Sequence, residues 1–232
     1  MQATARTAII LALLLAPFAA IRLGYIRIPP AYDPRVPLSI DAAPNFLTRY
    51  KLSRLSEDES ACRAVLATAR IDYESLPDKI TGTNCGFHNA VRIQRTTAEV
   101  SGAFSLTCRA AVSLALWEHH VLQPEALARF QQPVARIEHF GSYSCRNVYG
   151  RANATRSRHA TAEAFDVAGF VLADGRRIRV VNDWREDPAT SQFLHAVRDG
   201  ACGYFDAVLS PDYNAAHRDH LHLDRGPFRT CR

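Results

Sequence analysis

Hydrophobic positions organise the chain before any composition is counted. An uncharged run from 7 to 21 follows Arg6, carries Ile9, Ile10, Leu11 and Leu13, and is interrupted at Arg22 before Leu23, Tyr25 and Ile26. It is short for a membrane span of about 20 residues, although Arg22 can snorkel. Residues 28–46 are punctuated by Pro29, Pro30, Pro34, Pro37 and Pro44 and predict an extended tether or an arm lying on the domain surface. Ala61, Cys62, Val65, Leu66 and Ala69 then recur at helical spacing and predict a helix ending near Ile71. Residues 91–93 suggest a strand. Thr107 is placed to cap a helix running through His120, and Pro124 to open another that ends at Phe130.

Beyond residue 132 the pattern changes. Segments 134–143, 164–172, 177–181, 205–209 and 220–223 are short, β-branched or aromatic, and separated by Gly or Pro turns. A helix over 188–198, with Gly200 to terminate it, interrupts them. Asp174 and Gly175 form a two-residue hairpin signal, so part of the sheet is antiparallel. The expectation is an α+β fold with a small antiparallel sheet covered by helices. Its helical part is expected at about 47–132 and its sheet and metal-site part at about 133–232, after an amino-terminal segment 1–27 and a tether 28–46.

The 232 residues are 47% hydrophobic and 22% charged, which excludes disordered and low-complexity classes. The formal charge of +5 rests almost wholly on arginine, since Lys occurs only at Lys51 and Lys79. No stretch clusters those arginines with stacking aromatics, so no nucleic-acid partner is expected. The apolar run 7–21 reads as an export signal. No small-x-small cleavage site follows it, which favours an uncleaved anchor in the inner membrane over a removed signal peptide. Cys62, Cys85, Cys108, Cys145, Cys202 and Cys231 are an even, widely spaced set without a CxxC pair, and in an exported chain they predict disulfides. Short loops close most readily, which suggests Cys62 with Cys85, Cys108 with Cys145 and Cys202 with Cys231.

His217, His220 and His222 fall close together, and on a strand His220 and His222 project to one face. Upstream, His159 lies in a turn and Asp166 stands inside an apolar strand pattern. A carboxylate buried there needs a compensating charge, supplied either by a metal ion or by a paired arginine. His159, Asp166 and His222 make a two-histidine, one-carboxylate set that leaves a coordination position open, as catalytic zinc sites do. Ser157 is expected to cap or hydrogen-bond near His159, Glu163 to occupy a solvated face, and His217 to be a supporting residue. His119, His120 and His139 are expected to be ordinary surface or strand residues, and Trp117 and Trp184 core or lid aromatics.

Ser157-x-His159 through Asp166, followed by His220-x-His222, resembles the metal motifs of the zinc peptidases that include D-alanyl-D-alanine carboxypeptidases, murein endopeptidase and lysostaphin, with the hedgehog amino-terminal domain as a non-peptidase relative. Nearly the whole exported part is similar to the bacterial extensin-like carboxy-terminal family. The likeness rests on Leu47-Thr48-Arg49, Gly141-Ser142-Tyr143-Ser144-Cys145-Arg146-Asn147, the stretch from His159 to Gly169, Phe193 to Cys202, and Pro211 to His220. The resemblance implies Zn2+ held by His159, Asp166 and His222, with His220 as acid/base group and Arg146 holding substrate or balancing an oxyanion. Two departures stand out: Ala162 replaces a common Gly, and Asp219 takes the place of a Glu before the final ligand. Asp219 is therefore the alternative base or a supporting group. The implied activity is a periplasmic zinc-dependent hydrolase acting on peptidoglycan stem peptides or cross-links. The alternative is a non-catalytic zinc-containing wall or protein-binding module.

Overall fold

The computed structural model describes residues 2–232. The chain divides into two units, Met1–Val36 and Pro37–Arg232. The first contains helix α1, Gln2–Arg22, and a short 3-10 turn at Pro30–Tyr32 followed by a local Asp33–Arg35 ion pair. Among the described residues no helix is long and apolar enough to cross a membrane. The expected tether is divided: its part from residue 37 onward belongs to the second unit, where Ile40 is buried and its carbonyl meets His120 Nε2 at 2.7 Å.

The second unit runs α2 (Thr48–Arg54), α3 (Glu59–Leu66), β1 (Asp72–Ser75), β2 (Lys79–Gly82), β3 (Cys85–Phe87), β4 (Ala90–Arg95), β5 (Glu99–Thr107), α4 (Cys108–Trp117) and α5 (Gln123–Phe130). It continues with β6 (Val134–Gly141), β7 (Ala164–Leu172), β8 (Arg177–Arg179), α6 (Val180–Asp183), α7 (Pro188–Ala201), β9 (Ala207–Leu209), β10 (Leu221–Asp224) and β11 (Thr230–Cys231). Thr107 caps α4 by accepting the Ala110 N–H. Between α4 and α5 the helix does not stop. A π turn at Glu118–Leu122 carries it onward, with the Gln123 N–H reaching back to the Glu118 carbonyl. Pro124 has no N–H to give to the normal ladder, and the widened turn absorbs that loss.

The sheet is large and mixed rather than small and antiparallel. Nine strands join it, in the order β1-β4-β5-β6-β7-β10-β9-β11, with β8 also paired to β7. β5 and β6 are parallel, as are β9 and β11. A parallel neighbour requires a crossover, and the helical run α4–α5 supplies it between β5 and β6. The segment expected to be mainly helical thus contributes β1, β4 and β5 to this sheet, while β2 and β3 pair with each other in a separate two-stranded sheet. The strand expected at 91–93 is β4, whereas β1 and β2 escape a reading of alternation because they are polar and largely exposed. β7 begins and ends where the pattern places it. The Asp174-Gly175 turn joins β7 and β8 as an antiparallel pair, with Gly175 at φ +87°. Gly200 lies inside α7 rather than ending it.

Trp117, Phe165, Phe170, Phe193 and Phe205 are fully buried in one core between the helices and the sheet. Trp117 Nε1 donates to the Val197 carbonyl at 2.9 Å, fixing α4 to α7. Three disulfides close around this core: Cys62–Cys108, Cys85–Cys145 and Cys202–Cys231. Only the last follows the shortest-loop expectation. α3 packs against α4 and brings Cys62 to Cys108, while the β2–β3 hairpin lies against the loop after β6 and brings Cys85 to Cys145. Folded proximity, not loop length, selects the partners.

Candidate metal centre

Three elements converge on one face of the sheet. β10 runs antiparallel to the first half of β7, with His222 directly opposite Asp166 and Leu221 and Leu223 opposite Val167 and Phe165. Side chains alternate along strands, so this register sends Leu221, Leu223, Phe165 and Val167 into the core and His222 and Asp166 to the other face. On the opposite edge of β7, Asp166 pairs with Gly141 at the end of β6. The third element is the 3-10 turn Arg158–Thr161, which carries His159. Ser157 caps it, its Oγ accepting the His159 N–H at 3.3 Å. The turn ends at Ala162, which adopts φ +54°. A left-handed conformation is one that Gly adopts without steric cost, whereas alanine bears strain there.

The three expected ligands meet. His159 Nε2 lies 3.1 Å from Asp166 Oδ2, His222 Nδ1 lies 2.9 Å from Asp166 Oδ1, and the two ring nitrogens are 3.2 Å apart. All three residues are buried, and together they could hold a metal ion. The other nitrogen of each ring is already engaged. His159 Nδ1 bonds to the Ser142 carbonyl, and His222 Nε2 bonds to Asp224 Oδ2 at 3.0 Å. Both partners are acceptors, so the hydrogens of neutral rings sit on those outer nitrogens, and lone pairs on His159 Nε2 and His222 Nδ1 face each other and a carboxylate. Such a cluster repels itself without a positive charge at its centre, and the donor set fits a cation.

The electrostatics express the same demand. Burial pushes the His222 imidazole down, but hydrogen bonds and charge from Asp166 and Asp224 outweigh it and raise it to about 9. Burial also acts to raise the Asp166 carboxyl, yet its hydrogen bonds to His159 and His222 hold it well below the usual carboxylate range. Without a cation, a proton on His222 fills the role.

His220 stands beside this group, its Nε2 3.6 Å from Asp166 Oδ1, although β10 begins only at the next residue. Asp219 is not part of the cluster. Its Oδ1 holds His220 Nδ1 at 2.9 Å and orients the ring. Arg146 reaches to 4.0 Å from Asp166 Oδ2 with half of its side chain exposed. The arginine alternative for Asp166 is therefore present only as a long contact. His217 is buried beneath His220, with Nδ1 2.9 Å from Asn214 Oδ1. Burial, then the neighbouring His222 and His220, push its imidazole down to about 4.

The cluster forms the floor of a pocket of about 400 Å3, with Tyr149, Tyr213 and Phe228 among its walls. Phe228 is 80% exposed, and Phe140, 62% exposed, meets the His220 ring edge-on. Sequence reasoning misses Asp224, which the parity linking His220 to His222 extends to, and the Ser142 carbonyl, which no side chain signals. Glu163 is not on a solvated face. It is partly buried between Arg109 at 2.8 Å and Arg158 at 3.1 Å, and its carbonyl accepts the Arg225 N–H. Trp184 is a core residue, with Nε1 on Asp212 at 3.0 Å.

Comparison with known proteins gives one family, described as extensin-like protein C-terminus, which matches residues 60–232. The chain belongs to this family. The match takes in every residue of the cluster and all six cysteines. No curated protein and no solved structure matches the chain.

Proposed function

We propose that this extensin-like domain is a zinc-dependent hydrolase that is exported to the periplasm and cleaves peptide bonds of peptidoglycan. The observation that carries the reading is the buried convergence of His159 Nε2, the Asp166 carboxylate and His222 Nδ1 at the floor of an open pocket, with a third histidine, His220, oriented by a carboxylate beside it. Export is supported by three disulfides, which persist in oxidising compartments. The wall substrate is supported by the resemblance of Ser157-x-His159, Asp166 and His220-x-His222 to the zinc peptidase motifs.

Two nitrogens and a carboxylate suit zinc in a site that keeps one position open. When bound, the ion supplies Lewis acidity: it polarises a carbonyl and acidifies water to a pKa of about 7. The protein supplies the rest. Asp219 keeps the hydrogen on His220 Nδ1, so His220 Nε2 is the free basic nitrogen facing the cluster. It takes a proton from the attacking water as the carbon–oxygen bond forms. It then gives that proton to the leaving amine as the carbon–nitrogen bond breaks. Arg146 is placed to hold the carbonyl oxygen as negative charge develops there. The exposed ring of Phe228, with Tyr149 and Tyr213, provides an apolar wall for the flanking peptide.

Purified sacculi or muropeptides incubated with the zinc-loaded domain test the proposal. New amine groups are expected with the wild type, falling by about 10²–10⁴-fold in His220→Ala while zinc content is kept. Sacculus binding without any product in the wild type would overturn the hydrolase reading in favour of a wall-binding module.

A further inference from the structure

His222 differs from His159 in how it is held. His159 leans on a backbone carbonyl, whereas His222 leans on a second buried carboxylate that lies on the far side of the ring from the cluster and cannot be a ligand. Asp224 sits two residues beyond His222 on the same strand face, opposite Ala164, whose small side chain leaves it room. Its two oxygens serve two donors. Oδ2 takes the His222 Nε2–H at 3.0 Å and Oδ1 takes the Gly226 N–H at 2.8 Å. The fit is tight on that side: a Cβ at Gly226 would lie 2.9 Å from Asp224 Oδ1 and 3.2 Å from Arg158 Nε. The Asp224 carbonyl is fixed as well, by the Asp206 N–H at 2.8 Å.

We propose that Asp224 is a positioning residue for the metal centre: by accepting the His222 Nε2–H and the Gly226 N–H together, it locks Nδ1 as the nitrogen that faces the metal. The inference rests on the reading of the cluster as a zinc site. It follows that asparagine cannot replace Asp224, although it has the same shape. An amide offers one acceptor where two donors wait. Either the Gly226 N–H loses its partner, or the amide N–H2 faces His222 Nε2 and drives the hydrogen onto Nδ1.

The test uses the full exported domain, wild type, Asp224→Asn and Asp224→Ala, with zinc affinity measured by competition against a chromophoric chelator. Thermal unfolding of the metal-free forms shows that each variant is folded. In the zinc-loaded proteins, long-range 1H–15N correlation reads which nitrogen of His222 carries the hydrogen. Expected are an Nε2–H protected from solvent exchange in the wild type, faster exchange of that hydrogen in both variants, and zinc binding about 10–100-fold weaker in each. Zinc binding by Asp224→Asn as tight as the wild type, with the Nε2–H signal unchanged, would overturn the assignment and leave the zinc site standing. Absence of zinc binding in the wild type would overturn both. Weakened zinc binding in the variants of a domain that cleaves no wall peptide would support Asp224 and remove only the hydrolase reading.

Discussion

Glu118, in the π turn, is fully buried, with Oε2 on the Thr97 N–H and hydroxyl and Oε1 without a partner among the described residues. Burial raises its carboxyl to about 7, against hydrogen bonds from Thr97 and Thr96 that lower it. The folded state therefore keeps a proton that the unfolded chain releases near its ordinary value. Stability is greatest below that ordinary value and falls as pH rises towards 7, by roughly 3 kcal/mol in all. Glu118→Gln should remove this fall, so urea unfolding at pH 5 and pH 8 should separate the wild type and leave this contribution absent in the variant. A second test falls on Ala162, whose left-handed backbone costs an L residue roughly 1–2 kcal/mol. Its buried methyl returns about 0.8 kcal/mol, and glycine frees the unfolded chain by about 0.4–1 kcal/mol. Ala162→Gly should therefore change stability little, within about 1 kcal/mol, as the unfolding midpoint in urea will show. At this scale the site was legible: His159, Asp166 and His222 meet as expected because a carboxylate in an apolar strand and paired histidines are costly without a common purpose. Glu163 was not legible, since its arginine partners Arg109 and Arg158 come from a helix and a turn that no local pattern relates.

Elements bring the chemistry into register, and the disulfides hold some of them there. Cys85–Cys145 ties the β2–β3 hairpin to the loop that carries Arg146, where Tyr143 also meets Phe87 edge-on at 5.2 Å and the Thr81 hydroxyl. The bridge spans 60 residues, for which chain entropy gives about 4 kcal/mol. Replacing both cysteines by serine should lower stability by up to that amount. On the proposed function it should also raise KM more than it lowers zinc affinity, because Arg146 is loosened while His159, Asp166 and His222 remain seated; kinetics and zinc titration on one preparation check this. Strands with apolar alternation, β4, β6 and β7, could be read from the chain. β1 to β3 could not, because they are polar edge or hairpin strands stabilised by neighbours, and the pairing of cysteines waits on where those strands lie. Cys202–Cys231 forms because Cys202 directly follows α7 and Cys231 lies in β11, which pairs with β9; its loop length did not decide it, since the expected Cys62–Cys85 loop is shorter and does not form.

For the whole domain, a bound ion is a stabilising ligand. At a zinc concentration a hundred times the dissociation constant, linkage adds about 2.7 kcal/mol, which in a domain of this size raises the melting temperature by about 5–10 °C. Chelation should reverse the shift, and His222→Ala should show none; differential scanning fluorimetry with and without EDTA is sufficient. The mixed sheet has a further consequence at β7, which pairs with β6 along one edge and with β10 and then β8 along the other. If β10 docked one residue out of step, an imidazole would be forced into the greasy interior and a leucine set out in its stead. Correct docking and assembly of the centre are thus a single event, and the polar pair across β7 and β10 acts as a proofreading device for the polypeptide's own folding.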